Sequence, residues 1–501
     1  MLTGSLLRAL PLAALILLPG RATTQEIVPV TLSLEEAIEI ARSNNPTFQA
    51  IRNNEALADW DVKAAYGSLL PSASTNFSLS WQGAGEQTFG SLTAEELGFA
   101  DQPSFMFSRY GLNLNYSING STLLAPGQAK ISRVATRADV AFGSSELISQ
   151  VTQNYIEVLR QTEQVRVSEQ QRERARFNLR LAEAQLQVGT ATAVDVAQAA
   201  VALGRAEVTI LQTTNALETA RIRLLQRMGV DLYSPFVPTT PFVLSEPPWS
   251  RDQLVSLGLQ ASPTLQAARA LQSVSSYGVK MAKSAYLPTL SLSAGLNGFT
   301  RQASSTALNI QQAETQAQGS IQNCLFTNDL FTRLSDPLPA QDCSAFTFTD
   351  DDAQQIRDNN RSFPFDFTGQ PASASLTISL PLFQGLDRQR QVTMAQVQLE
   401  DLDYEYQEAE LALRADIAVT LATVRAAYQA ALIEDQNQIV ADEQLRLARE
   451  RFRVGLAGFL ELLEAETLKV EADREQIAAI FAYHDSLANL EAVVGTSLRI
   501  Q

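Results

Sequence analysis

Residues of the types that carry catalysis or bind metal ions are scarce in this chain. It has one histidine, His484, and two cysteines, Cys324 and Cys343, among 501 residues. A single histidine excludes a two-histidine metal site and an HExxH motif within one chain. The sequence also lacks a GxSxG elbow, a phosphate-binding P-loop and a GxGxxG motif. We therefore expect a protein that is not an enzyme and needs no cofactor or metal, with His484 as a surface residue of a helix.

The N-terminus has the pattern of a secretory signal peptide. Arg8 precedes an apolar run over residues 10–18, and the small residues Gly20 and Ala22 stand where a signal peptidase requires them. The run is much shorter than the roughly 20 residues that a membrane-spanning helix needs, and no later stretch is continuously apolar over that length. The sequence predicts a signal peptide over residues 1–22 and no transmembrane helix after it.

Charge and cysteine content fit an exported protein. Cleavage after residue 22 would remove Arg8 and Arg21 and no acidic residue, which changes the formal net charge from −16 to −18. Such acidity argues against nucleic acid as a partner. An oxidising compartment permits a disulfide between Cys324 and Cys343. No cysteine directly follows the predicted signal peptide, so a lipid anchor is not expected there.

The secondary-structure elements that would position any site are predicted to occur twice in the chain. Five residues recur with the same identity 217 positions later: Ser33, Pro46, Val62, Lys63 and Pro71 as Ser250, Pro263, Val279, Lys280 and Pro288. Three more recur 266 positions later: Val188, Gly189 and Gly229 as Val454, Gly455 and Gly495. The difference between the two shifts indicates 49 extra residues in the second copy. We predict one repeat over 23–249 and another over 250–501, the second with an enlarged external loop over 300–371.

Four segments alternate apolar and polar residues with a period of two, which is typical of β-strands with one apolar face. They are residues 77–82, 112–119, 290–297 and 374–380. Four strands are too few to close a barrel, because single-chain barrels start at about eight strands, and lipid does not tolerate open edges. Three copies together would supply twelve. A soluble sandwich also has alternating strands, but it would not leave two thirds of the chain for long helices.

Long helices are predicted on either side of Gly189 and of Gly455. No proline occurs between Pro126 and Pro235 or after Leu382, and both stretches are rich in strong helix formers. An arm of about 60 residues would be roughly 90 Å long. Heptad-like apolar spacing alone is also typical of an ordinary coiled coil. An exported coiled-coil structural or adhesin-like protein without an open lumen is therefore the alternative interpretation.

The two hairpin tips share a motif in which a Val-Gly pair is followed, six residues after the glycine, by an acidic residue. The motif residues are Val188, Gly189, Thr190 and Asp195 in the first copy, and Val454, Gly455, Leu456 and Glu461 in the second. Together with the signal peptide, the strands and the repeat, these tips resemble the TolC family of outer-membrane channel proteins. The resemblance covers nearly all of the mature chain.

This resemblance implies an α+β membrane protein of the outer membrane with a large periplasmic portion. In the family, three copies form a 12-stranded β-barrel, four strands per chain, that continues into a long periplasmic α-helical barrel. The implied function is the exit duct of a tripartite efflux pump or a type I secretion system, which conducts small molecules or unfolded proteins passively. The implied partners are outer-membrane lipid, a periplasmic adaptor protein at both Val-Gly tips, and an inner-membrane drug pump or ABC exporter.

The resemblance also assigns roles to charged residues at the tips. Glu461 and Glu464 match two acids that face the pore axis, and three copies would give two rings of carboxylates that constrict the entrance and favour cations. Asp195 matches an acid that some members pair with a tyrosine and an arginine to hold the entrance shut. The matching positions here are Phe452 and Ala457, so Arg451 or Arg453 would have to replace that pairing.

Overall fold

The computed structural model describes residues 31–85, 88–89, 92–93, 103–336 and 338–499. The predicted signal peptide lies outside these described residues. The chain divides into two compact units. Their described parts are residues 31–61, 130–276 and 396–499 in the first unit, and residues 62–129 and 277–395, with the gaps given above, in the second.

The elements of the first half run from strand to long helical hairpin. They are β1 (Thr31–Leu32), α1 (Leu34–Asn44), α2 (Pro46–Gly67), β2 (Ser72–Gln82), β3 (Thr88–Phe89), β4 (Leu92–Thr93), β5 (Phe105–Ile118), α3 (Gly120–Gln187), α4 (Ala193–Met228) and β6 (Val237–Pro238). Those of the second half are α5 (Arg251–Ala261), α6 (Pro263–Ser284), β7 (Thr289–Ala303), α7 (Ala307–Thr332), a 3-10 turn (Cys343–Phe346), α8 (Asp350–Asn359), β8 (Ser373–Ser379), α9 (Asp387–Arg453) and α10 (Phe459–Val494).

Element boundaries reproduce the repeat to the residue. Helices α5 and α6 begin and end 217 residues after α1 and α2, and α10 begins and ends 266 residues after α4. The extra residues of the second copy therefore fall between β7 and β8, where α7, the 3-10 turn and α8 lie. Within that insertion the structure joins Cys324 and Cys343 in a disulfide.

The second unit contains a four-stranded antiparallel sheet in the order β2-β5-β7-β8. One face is apolar, and its side chains remain exposed, as with Leu112 at 51% and Ile378 at 69%. On the other face, polar side chains meet across strands: Asn113 donates to Asn76 at 3.2 Å. The strands β5 and β7 extend seven and six residues further towards the loops than the strict alternation indicated.

Local sequence signals set the ends of the helices. Ser33 caps α1 and Ser250 caps α5, each with the reciprocal side-chain bond of a capping box. Helices α4 and α10 end at Gly229 and Gly495, both in the left-handed conformation with φ of 74° and 83°. Glycine adopts this conformation without a steric penalty from a Cβ atom.

We expect Gly495→Ala to destabilise the first unit by about 1–3 kcal/mol, because the left-handed conformation strains alanine. A Cβ atom at Gly495 would also lie 2.6 Å from the carbonyl oxygen of Ala261, which is backbone and cannot turn away. Gly455→Ala is the matched control, since Gly455 has φ of 74° but open space around it. Thermal unfolding of the purified protein should show the larger loss for Gly495→Ala, and equal losses would rule out the backbone clash.

The first unit has a hydrophobic core in each half. The first core gathers buried residues of α1, α3 and α4, including Ala41, Val151 and Leu224, and the second gathers α5, α9 and α10 around Leu254 and Ile417. Tyr155 of α3 binds the short parallel pair β1–β6, because its hydroxyl donates to the carbonyl of Leu32 in β1 at 2.8 Å. Each half therefore packs its short helix against its own long hairpin.

His484 is not a surface residue, contrary to the expectation from the sequence. It is 2% exposed, with its ring 4.9 Å from that of Phe242 and 5.0 Å from that of Tyr483. Burial and the nearby charge of Arg499 lower the pKa of His484 to about 4. The pKa of the adjacent Asp485 shifts in the opposite direction, because burial and the charge of Glu157 raise it to about 6.

These two shifts act oppositely on stability between pH 6.5 and pH 4. The folded pKa of Asp485 lies above its ordinary value of 3.8, so its protonation favours the folded state as pH falls through 6. The folded pKa of His484 lies below 6.5, so its protonation favours the unfolded state over the same range. We expect Asp485→Asn to lose stability progressively from pH 6.5 to pH 4 while the wild type changes little. Melting temperatures that run parallel for the two proteins would contradict this assignment.

Among the described residues, one helix is long and apolar enough to cross a membrane by length and composition alone. It is α9, and 22% of its apolar stretch is buried. Charged residues such as Arg414, Asp416 and Arg425 interrupt the apolar residues of α9, so the finding does not contradict the expectation that no later stretch is continuously apolar. The observation is weak evidence of a membrane span, because Leu413, Ile417 and Leu421 of α9 lie in the second hydrophobic core.

Candidate functional site

The two hairpin tips have the same backbone geometry. At the first tip, Gly189 has φ of 78°, and Thr190 donates its N–H to the carbonyl of Gln185 at 2.9 Å. At the second, Gly455 has φ of 74°, and Leu456 donates to the carbonyl of Arg451 at 2.9 Å. The left-handed glycine lets the chain reverse, so that the N–H of the next residue bonds to a carbonyl of the last turn of the long helix.

Apolar side chains at both tips point into solvent. Val188 is 73% exposed, Val454 60% and Leu456 73%. No atom lies within 4 Å of where a Cβ would stand on Gly189 or Gly455. The tips therefore present two similar apolar turns whose backbone another protein can approach closely.

The side chain of Asp195 caps the start of its own helix, α4, and is not paired with an arginine. Thr192 is the N-cap, and both its N–H and its hydroxyl donate to Asp195 Oδ2 at 2.7 Å. The N–H of Asp195 returns a bond to the Thr192 hydroxyl at 3.2 Å. This capping box satisfies donors of the first helical turn and places the carboxylate at the positive end of the helix.

The second tip lacks this capping box, and its acid finds another partner. The N-cap of α10 is Gly458, which has no side chain to accept a bond. Glu461, at the position equivalent to Asp195, instead lies 2.6 Å from Arg451 Nη1. Both side chains are about half exposed, so this ion pair contributes little to stability and can open readily. Glu464 is exposed, one turn further along α10.

The arginines proposed to replace the entrance latch have other partners within the chain. Arg451 pairs with Glu461, and Arg453 lies 2.6 Å from Glu450 Oε2. Phe452, which occupies the tyrosine position of the related latch, is 4% exposed and packs edge-on against Phe459 at 5.7 Å. Residue 452 thus belongs to the core of the tip, and Asp195 is bonded inside its own helix.

A third hydrophobic cluster, at the tips, joins the two halves of the chain. Ala182 of α3 and Ala199 of α4 pack with Leu445 of α9 and Leu462 of α10, all nearly inaccessible to solvent. Small alanine side chains allow these helices to approach closely. Both hairpins therefore contribute to one shared core at the tips.

Charged residues form a network behind the tips, which we call the interhelical ion network: the buried Glu466, Lys469 and Asp473 with the partly buried Arg174 and Arg449. Arg174 of α3 lies 3.3 Å from Glu466 Oε2 and 3.6 Å from Asp473 Oδ2. Arg449 of α9 lies 2.9 Å from Glu466 Oε1, and Lys469 Nζ lies 2.6 Å from Asp473 Oδ1. The network connects α3, α9 and α10, and sequence reasoning missed it because isolated charges on alanine-rich helices resemble a solvated face.

No group of three or more histidine, cysteine or acidic side chains in the part of the chain that the structure describes could hold a metal ion.

The chain matches the family model described as outer membrane efflux protein over residues 37–230 and 347–496, which lie in the two halves of the chain. It is similar in fold to the CmeC outer membrane channel of Campylobacter jejuni (TM-score 0.67, 16% identity, covering 92% of this chain and 85% of that one). The outer membrane protein VceC of Vibrio cholerae gives a TM-score of 0.66 at 16% identity, covering 93% and 97%. The MtrE outer membrane channel of Neisseria gonorrhoeae, in its open state, gives 0.64 at 17% identity, covering 93% and 89%. No curated protein matches the chain.

These matches confirm the fold class expected from the sequence. It is that of a trimeric outer-membrane channel to which each chain contributes four barrel strands and long periplasmic helices. The polar face of the four-stranded sheet then lines the lumen, and the exposed apolar face meets lipid. The family match covers well over half of the sequence, so this chain belongs to the outer membrane efflux protein family and is an efflux channel of the outer membrane.

Proposed function

We propose that this protein is the exit duct of a tripartite efflux pump, in which a periplasmic adaptor binds the tips and an inner-membrane transporter supplies the energy. The observation that supports this proposal most directly is the pair of equivalent exposed turns, Val188–Thr190 and Val454–Leu456. Two copies of one docking surface in each chain would give a trimer six such surfaces. A structural coiled-coil protein has no need of matched apolar turns at its ends.

A groove beside the first tip supports the same proposal. It has a volume of about 640 Å³ and is lined by apolar residues such as Val194, Val201 and Leu463 together with the polar residues Gln171, Gln198, Arg205 and Thr467. A groove between helices that combines apolar and polar side chains is suited to an added amphipathic helix. An adaptor hairpin could therefore contact the turn and the groove together.

Glu461 and Glu464 are proposed to lie at the entrance of the duct. The ion pair of Glu461 with Arg451 offsets one carboxylate per chain, so Glu464 would carry most of the negative charge of the constriction. Asp195 is proposed to act at the entrance by fixing the first turn through its capping box. Opening would then involve exposed ion pairs of low stability, such as Arg451–Glu461.

Photo-crosslinking tests the docking proposal. A crosslinker placed at Thr190 or at Leu456 in intact cells should trap a periplasmic adaptor, which mass spectrometry identifies. Position 211 is the matched control, because Leu211 is 71% exposed on α4 but more than four helical turns from the tip. An adaptor of a drug pump supports efflux of small molecules, and an adaptor of an ABC exporter would assign type I secretion instead. Equal trapping at all three positions would contradict docking at the tips.

A further inference from the structure

Two arginines are the only charged residues of the four-stranded sheet. The described strands β2, β5, β7 and β8 contain Arg109 and Arg301 and no acidic residue. The sequence alternation did not include either arginine, because the polar and apolar pattern breaks at the aromatic residues beside them. Their charge is therefore an addition to the neutral polar lining expected from the sequence.

Both arginines lie on the polar face of the sheet. In β5, Arg109 alternates in phase with Asn113 and Asn115, and in β7, Arg301 is in phase with Ser293 and Asn297. Arg109 is opposite Phe299, and Arg301 is opposite Phe107 in the register of the β5–β7 pair. The two arginines are thus diagonal neighbours across that pair. Because the polar face lines the lumen of a membrane barrel, both guanidinium groups belong to the lumen wall.

Their position along the strands places them towards the outside of the cell. Strand β5 ends at Ile118, two residues before the long helix α3, and β7 begins at Thr289 after α6. Helices of this family lie in the periplasm, so the opposite end of each strand, near Phe105 and Ala303, is the outer end. Arg301 lies two residues before Ala303 at that end of β7, and Arg109 lies four residues after Phe105 at that end of β5.

Aromatic rings hold one of the arginines in place. The guanidinium carbon of Arg301 lies 3.6 Å from the ring centroid of Phe105 and 5.8 Å from that of Phe107. This cation–π contact fixes the direction of the guanidinium group. A carboxylate partner would neutralise its charge, whereas the aromatic ring does not. Arg109 and Arg301 are both exposed on the strand surface, so their charge remains available to solutes in the lumen.

We propose that Arg109 and Arg301 of three copies form a basic collar in the outer half of the barrel that selects anionic solutes, such as those bearing carboxylate, sulfonate or phosphate groups. The inference rests on the proposed function as a duct. Rings of arginine favour anions in pores for the same electrostatic reason that rings of carboxylates favour cations. The collar and the proposed entrance acids therefore act with opposite sign at the two ends of the lumen.

The test is the reversal potential of purified wild-type and variant trimers in planar bilayers of neutral lipid under a KCl gradient. Lipid without net charge removes the net charge of the headgroups as a source of the effect. The ratio of chloride to potassium permeability should fall about threefold or more in Arg109→Gln/Arg301→Gln. The difference should shrink at about 1 M salt, where the Debye length is ~3 Å. The same comparison is made in a Glu461→Gln/Glu464→Gln background. This background removes the entrance charges, so the remaining change in the permeability ratio comes from the outer end of the lumen.

Matched variants separate charge from folding. Arg109→Lys/Arg301→Lys retains both charges and should keep the wild-type permeability ratio, while Asn115→Gln changes a neutral lumen residue and should have no effect. Trimers of each variant are verified on detergent gels, and the single variants are measured where the double variant does not assemble. An unchanged ratio in conducting charge-removal variants overturns the collar. A wild-type protein that forms no conducting pore instead overturns the duct itself.

Discussion

Replacing Asp473 by alanine is expected to lower the free energy of unfolding by about 3–5 kcal/mol, since removing one partner of a buried ion pair leaves the other uncompensated. The side chains of Lys469 and Asp473 are only 5% and 9% exposed and lie 2.6 Å apart. After the substitution, Lys469 would retain only Asp442 at 3.5 Å, whose side chain is 69% exposed. Thermal and chemical unfolding of the detergent-solubilised protein measures the loss.

Two further variants show whether the loss comes from the unpaired charge. Lys469→Met/Asp473→Leu removes both charges and should recover most of the stability, because apolar pairs of similar volume replace buried ion pairs at little cost. Glu443→Ala removes one member of an exposed pair on α9, with Arg446, and should leave the melting temperature unchanged. If the double variant is as unstable as Asp473→Ala, the network stabilises the helices by its specific geometry and the unpaired charge is not the cause.

Block of the channel by a trivalent lanthanide ion is expected to weaken about tenfold in Glu464→Gln, because the exposed carboxylates at the entrance are its proposed binding ring. Arg451→Gln should strengthen the block, since it frees Glu461 from its ion pair at 2.6 Å. Single-channel recordings with the ion added on the periplasmic side measure both changes.

Asp195→Asn is the matched control for the entrance charge. Asp195 is the acid of the other tip, at the position equivalent to Glu461, but its carboxylate is bonded to Thr192. The substitution should leave lanthanide block nearly unchanged and instead loosen the first turn of α4. A loss of block equal to that of Glu464→Gln would show that Asp195 faces the pore and would contradict the assignment of the ring to α10.

Much of the fold could be predicted from the sequence because its signals are local. Gly189 and Gly455 mark the turns, since a helix that ends with a reversal needs a left-handed residue. Ser33 and Ser250 mark helix starts through their capping partners. The constant shift of 217 residues between the copies could be read directly, and it reappears in the bounds of α1 and α5.

Features that depend on contacts between distant residues were not predictable in the same way. His484 was expected on the surface because a helix sequence does not say which neighbour covers it, and Phe242 and Tyr483 bury it. The network of Arg174, Glu466 and Asp473 joins residues about 300 positions apart. The arginines of the barrel were missed because aromatic residues interrupt the alternation beside them, so the outer ends of β5 and β7 could not be recognised as strand.

Dye accumulation in living cells tests the central claim most directly. Cells that lack the protein should accumulate a fluorescent efflux substrate, and wild-type protein should restore the low level. Gly189→Pro/Gly455→Pro should reach the outer membrane and leave accumulation at the level of the deletion strain, because proline cannot adopt the positive φ of the tip turns. Accumulation that is unaffected by deletion, or fully restored by the variant with both turns disrupted, would contradict a duct that works through its tips.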